Sequence, residues 1–116
     1  MIGVSATEEI LSLYRKHGWL LRCVLLTAAM RKSLSSISGK VFGNVEIFSS
    51  PIDAVWFSRS SSPVRETWEL RHLSAAPFAL VAFVDNDIDL ANRQELLRNI
   101  ELKMIDVTES KLRCSN

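Results

Sequence analysis

The chain has 116 residues, 47% hydrophobic and 23% charged, with a formal net charge of +1. That is room for one domain, and the composition excludes a disordered tail, a coiled coil and a collagen-like fibre. A charge so near zero also removes the electrostatic case for nucleic-acid binding.

The first residues lack the basic and then apolar pattern of a secretory signal, and Glu8 and Glu9 argue against a mitochondrial transit peptide. Ser5-Ala-Thr-Glu8 has the spacing of a capping box. Ile10, Leu13, Tyr14 and His17 follow at helical spacing, and Gly18 stands where a left-handed residue closes a helix. A first helix over 6–17 is expected. Residues 19–27 are apolar on both parities except for Arg22, which suits a strand covered on both faces. Thr27 then caps a second helix over about 28–38, with Met30, Leu34 and Ile37 along its stripe and Gly39 at its end.

Val41–Ser49 returns to strand chemistry, with Gly43 as a bulge or bend and Pro51 as the stop. Asp53–Arg59 and Glu66–His72 read as two strands joined by a six-residue loop, 60–65. Placing Phe57 opposite Trp68 sets Val55 against Leu70, Arg59 against Glu66 and Asp53 against His72. This gives two apolar pairs flanked by two charge pairs, each contributing roughly 0.2–1 kcal/mol. It leaves Trp56, Glu69, Arg71 and Thr67 on the other face. Phe78–Val84 is a last strand, apolar on both parities and so expected inside the sheet or under a helix. After the acidic loop Asp85–Asp89, Asn92-Arg-Gln-Glu95 reads as a second capping box. It opens a helix lined by Leu96, Leu97, Ile100, Met104 and Val107, ending near 108–110. The longest apolar stretches fall far short of the ~20 residues of a membrane span.

Ile10-Leu-Ser-Leu-Tyr14-Arg15 resembles the leucine–tyrosine–arginine signature of the LYR family of small mitochondrial proteins. That resemblance implies a three-helix protein that binds acyl carrier protein. It covers six residues, and the strands read over 41–84 depart from the family's pattern, so the segment is read as an amphipathic helix with Tyr14 packed inward. Pro51-Ile-Asp53 followed by Glu69-Leu-Arg71 resembles a degenerate restriction-type nuclease motif, whose chemistry needs two carboxylates on one metal. The register above places Asp53 and Glu69 on opposite faces. Asp85, Asp87 and Asp89 copy the start of a calcium loop, but Leu90 and Leu96 stand where its glycine and bidentate glutamate belong. His17 and His72 have no partners at ligand spacing, and a bridge between Cys23 and Cys114 would close a loop of about 90 residues and pin a tail expected to fray, so both are read as free. No metal or cofactor is expected, and a free Cys23 points to a reducing, cytoplasmic setting.

The expected fold is α+β: a two-layer sandwich in which a mainly antiparallel sheet of about five strands carries the N-terminal and C-terminal helices on one face. One domain spans 1–110, with 111–116 as a frayed tail. The expected function is a small protein-interaction or adaptor domain that binds a protein partner or itself, not a membrane or nucleic acid, through Trp56, Glu69, Arg71 and Thr67. The alternative is a small metal-assisted hydrolase or nuclease-like enzyme using Asp53, Glu69, Arg71 and His72. A third class, a small-ligand module, would need a sizeable pocket between helix and sheet.

Overall fold

The structure, a computed structural model, describes residues 2–114, with the side chains of 38 and 111–114 outside the described set. In chain order the elements are α1 (Val4–Lys16), β1 (Leu20–Leu26), α2 (Ala28–Ser33), α3 (Ser38–Phe42), β2 (Glu46–Ser49), β3 (Ala54–Ser62), β4 (Arg65–His72), β5 (Ala79–Asp85) and α4 (Leu90–Cys114). The strands form one sheet in the order β2-β1-β3-β4-β5, antiparallel except for the parallel pair of β1 and β2. The α+β class, the five strands and the terminal helices are therefore present.

α1 ends as its sequence dictates. Gly18 takes a φ of +85°, its N–H donates to the Arg15 carbonyl at 3.1 Å, and the Trp19 N–H reaches back to the Tyr14 carbonyl at 3.0 Å. These two bonds are a Schellman closure, and the Tyr14 and Trp19 rings, 5.9 Å apart, supply its usual apolar contact. The start differs, since Gly3 and not Ser5 is the N-cap.

Thr27 caps α2, its hydroxyl accepting the Met30 N–H at 3.2 Å. The expected single helix over 28–38 is broken by turns at 34–37. Ser35 donates its hydroxyl to the Lys32 carbonyl at 3.1 Å, the kind of local bond that competes with helix continuation. Residues 38–42 then form α3, which takes in Val41 and Phe42 where strand was expected to begin, and Gly43, at φ +71°, terminates that helix instead of bulging a strand. At the other end, Asp89 accepts the Asn92 N–H at 2.8 Å. The cap thus lies three residues before the expected Asn92, and α4 continues to Cys114, through part of the tail expected to fray.

α1 and α4 take opposite faces, so the sheet is sandwiched and the molecule has three layers, where both helices were expected on one side. Val24 and Leu26 of β1 and Val55 and Phe57 of β3 pack with Leu11 of α1 and Met30 of α2. Leu25, Trp56, Trp68, Leu70 and Val84 pack with Met104 of α4. β3 is buried at five consecutive positions, from Ala54 to Ser58.

This double cover also decides the hairpin register. β3 and β4 pair Trp56 with Leu70, Phe57 with Glu69 and Ser58 with Trp68, one residue away from the expected alignment. A shift between Ser60 and Ser62 and a short turn at Pro63–Val64 replace the six-residue loop. The expected pairing kept Phe57 opposite Trp68 and left Trp56 open. The observed one puts both tryptophans under α4, with ring centroids 6.1 Å apart in an edge-to-face arrangement. Burying an indole removes ~150–250 Å² from water, worth about 4–6 kcal/mol. Each cross-strand pair is worth at most about 1 kcal/mol, so burial wins.

Candidate functional site

The structure separates the four residues of the hydrolase alternative. Asp53 precedes β3, and its Oδ1 accepts the Thr27 N–H at 2.7 Å, tying the start of α2 to the sheet. Alternation from Val55 and Phe57 places Asp53 and Glu69 on the same face, where opposite faces were expected. Glu69, however, pairs with Phe57, four residues along β3 from Asp53, about 13 Å at the rise of a strand. One cation cannot bridge that gap. His72 pairs with Ala54 and so lies on the α4 face, with its ring 6.0 Å from that of Phe78. In the observed register His72 stands opposite Ala54, where Asp53 was expected. Arg71 donates to the backbone carbonyl of His72. Among the described residues no group of three or more His, Cys, Asp or Glu side chains gathers to hold a metal.

Trp56 is the other correction. It was expected on an open sheet face and is 1% exposed. Its indole N–H donates to Glu101 Oε2 at 2.8 Å, so α4 both covers it and satisfies its one polar atom. Thr67, Glu69 and Arg71 point the other way, and there the sheet is half open. α1 packs over β1 and β3, where Tyr14 stacks on Phe57 at 4.0 Å and donates its hydroxyl to Glu69. Burial and the Glu69 carboxylate both push the Tyr14 hydroxyl well above its ordinary pKa. Tyr14 thus packs inward, and the strands of this chain replace the three helices implied by the signature around it.

Beyond Tyr14 the β4–β5 half carries Thr67 opposite Phe83, Glu69 opposite Val81 and Arg71 opposite Ala79. Phe83 is 65% exposed and Val81 44%. Among the described residues no strand neighbours the outer side of β5. Thr67, Glu69 and Arg71, each half-buried, therefore share a sheet face with two exposed apolar side chains beside the edge of the sheet.

Val81 and Phe83 escaped the sequence reading because a strand apolar on both parities looks internal. β1 takes the interior place between β2 and β3, and β5 is left at the edge. A signal was present: β5 closes a run of sequential antiparallel strands, and such a strand is an edge unless an earlier one returns beside it. Cys23 is half-buried with a free thiol, pushed up to about 11 by burial and then by Glu101, which makes it a poor nucleophile at neutral pH.

No known protein family matches this chain, no curated protein matches it, and no solved structure matches it.

Proposed function

We propose that this is a protein-interaction domain that pairs with a second copy of itself through the free edge of β5 and the open β4–β5 face. The observation that carries this reading is the contrast between the two edges of the sheet. β2 is four residues long, begins with Glu46 and is followed by Pro51. Arg31 also guards it, donating to Ser49 Oγ at 3.1 Å and towards the Ile47 carbonyl at 3.4 Å. These are the devices that keep an edge from recruiting another strand. β5, although Pro77 precedes it and Asp85 ends it, is longer and has no arginine bound along its edge among the described residues. It runs seven residues as Ala-Leu-Val-Ala-Phe-Val-Asp, with no proline, no shift in its pairing with β4 and no charge before Asp85.

A strand of this kind fits its own copy. In an antiparallel pairing centred on Ala82, Val81 of each chain meets Phe83 of the other, and Asp85 meets Ala79. Each aromatic–β-branched pair contributes about 0.2–1 kcal/mol, and the two like charges stay at opposite ends. The arrangement is isologous and closed, so it stops at a dimer and does not propagate into a fibre. A cytoplasmic setting belongs to this reading, supported by the free thiol of Cys23.

Size-exclusion chromatography with light scattering over a concentration series tests it. The chain should be dimeric at micromolar concentration. Val81→Lys, which aims a charge into the pairing, should give a monomer with an unchanged thermal transition. Leu13→Lys, an exposed position on α1, should leave the dimer intact. A wild-type chain that stays monomeric at hundreds of micromolar ends the proposal, as does a dimer indifferent to Val81→Lys.

A further inference from the structure

α4 packs against β4 and β5 and leaves the β1–β2 end of its face uncovered, which opens a cleft of about 620 Å³. This lies within the ~300–1,000 Å³ of small-molecule sites. Its floor is Cys23, Leu25, Trp56 and Trp68, and Phe48 of β2 stands at one side, 46% exposed. Three arginines, Arg22, Arg93 and Arg98, and two acids, Glu46 and Glu101, line it.

Arg22 and Arg98 are exposed and Arg93 is half-buried, yet Arg22 and Arg93 both reach back to the aromatic floor. Arg22 sits at an irregularity in β1. Leu21 pairs with Phe57 and Cys23 pairs with Trp56, so Arg22 is an extra residue in the ladder. Leu21 packs with the α1-side core and Cys23 with the α4-side core. The bulge turns Arg22 onto the α4 face as well. There its guanidinium lies 4.6 Å from the centroid of Trp68 and its Nη1 donates to Ser58 Oγ at 3.4 Å. Re-aiming one side chain is a common use of a bulge next to a site. Arg93, from the first turn of α4, places its guanidinium 5.4 Å from the same ring.

Two cations thus share one indole. Each is attracted to the ring and repelled by the other. Glu101 accepts from Trp56 Nε1 at 2.8 Å and Arg98 Nη1 at 3.3 Å, and with Glu46 it offsets two of the three arginines, so the lining keeps one positive charge in excess. Two donors in the cleft wall, Arg93 Nε and Trp68 Nε1, are buried without a hydrogen-bond partner. A buried donor left without an acceptor costs about 1–3 kcal/mol. A group with several acceptor oxygens and negative charge would relieve both the repulsion and the orphaned donors, and a planar guanidinium suits a carboxylate or phosphate. The apolar floor suits a ligand whose remaining part is apolar.

We infer that this cleft binds a small organic anion, its carboxylate or phosphate held by Arg22 and Arg93 and its planar apolar body lying over Cys23, Leu25 and Phe48. The site is on the opposite side of the sheet from the open β4–β5 face and is independent of self-association.

The test uses 2-naphthoate and 1-naphthyl phosphate as probes, with 2-naphthol and inorganic phosphate as their neutral and headgroup-only counterparts. Calorimetry measures affinity, and the indole N–H resonances report location. Either naphthyl anion should bind and move the Trp68 resonance, and the tighter of the two identifies the head group. Trp19, on the α1 side, should not respond. Naphthol and phosphate should bind at least about tenfold more weakly, the loss of one charge-assisted contact or of the apolar body. Arg22→Gln and Arg93→Gln should each weaken binding by roughly ten- to a hundredfold while circular dichroism stays unchanged. Arg65→Gln, on the exposed Arg65–Asp85 ion pair, should have no effect. Absence of binding at millimolar probe, a shift at Trp19 in place of Trp68, or affinity unmoved by both arginine substitutions overturns the inference.

Discussion

Trp56→Ala separates the two roles that residue could play. The indole is 1% exposed, packs edge-to-face on Trp68 and donates its N–H to Glu101. Truncation leaves a large cavity between β3 and α4, and frees one oxygen of Glu101. Losses of about 3–5 kcal/mol are usual for such a change. In a domain of this size each kcal/mol moves the thermal midpoint by about 4 °C, so a fall of roughly 12–20 °C is expected. Urea unfolding followed by circular dichroism measures the free energy directly. Trp56→Phe is the companion variant. It keeps a ring against Trp68 but removes the donor and part of the ring volume, and should cost about 1–3 kcal/mol. The reasoning fails if Trp56→Ala costs less than about 1 kcal/mol while altering association, because that is how an exposed interface residue behaves.

Two further outcomes follow from the geometry. Gly18→Ala should destabilise by about 1–2 kcal/mol in the same urea assay, because φ +85° disfavours a side chain; an added Cβ meets nothing within 4 Å, so the cost is backbone alone, and a neutral result would refute the left-handed closure of α1. The Cys23 thiol, raised from 9.0 to about 11, should react with iodoacetamide at pH 8 roughly a hundredfold more slowly in the folded chain than in urea. The folded state holds that proton more tightly, so its contribution to stability is whole below pH 9 and is lost as pH rises towards 11; equal labelling rates in the two states would contradict the burial that raises it.

The elements were largely legible in the residues. The helix ended by Gly18, the cap at Thr27, the paired strands of the β3–β4 hairpin and the apolar stripe of the last helix are local matters. They are decided within a turn or two of chain by capping bonds, φ preference and side-chain spacing. α2 and α3 were less legible, because four serines between 33 and 38 compete with the helix for backbone bonds.

What the residues could not reveal was which face each strand turns to which helix. A half-buried strand announces its inner face by alternation, but β3 is apolar or small from Ala54 to Ser58 and reads the same on either parity. Cross-strand preferences alone favour the alignment one residue away. The choice falls to tertiary packing, because covering two faces with two helices buries both tryptophans beneath α4. Two consequences relevant to function come from that one decision. Inserting β1 between β2 and β3 leaves β5 at the edge of the sheet. Seating α4 over β4 and β5 leaves a cleft in which Arg22, Arg93 and Trp68, distant in the chain, meet. Local chemistry determined what the elements are; burial on both sides of the sheet determined what they expose.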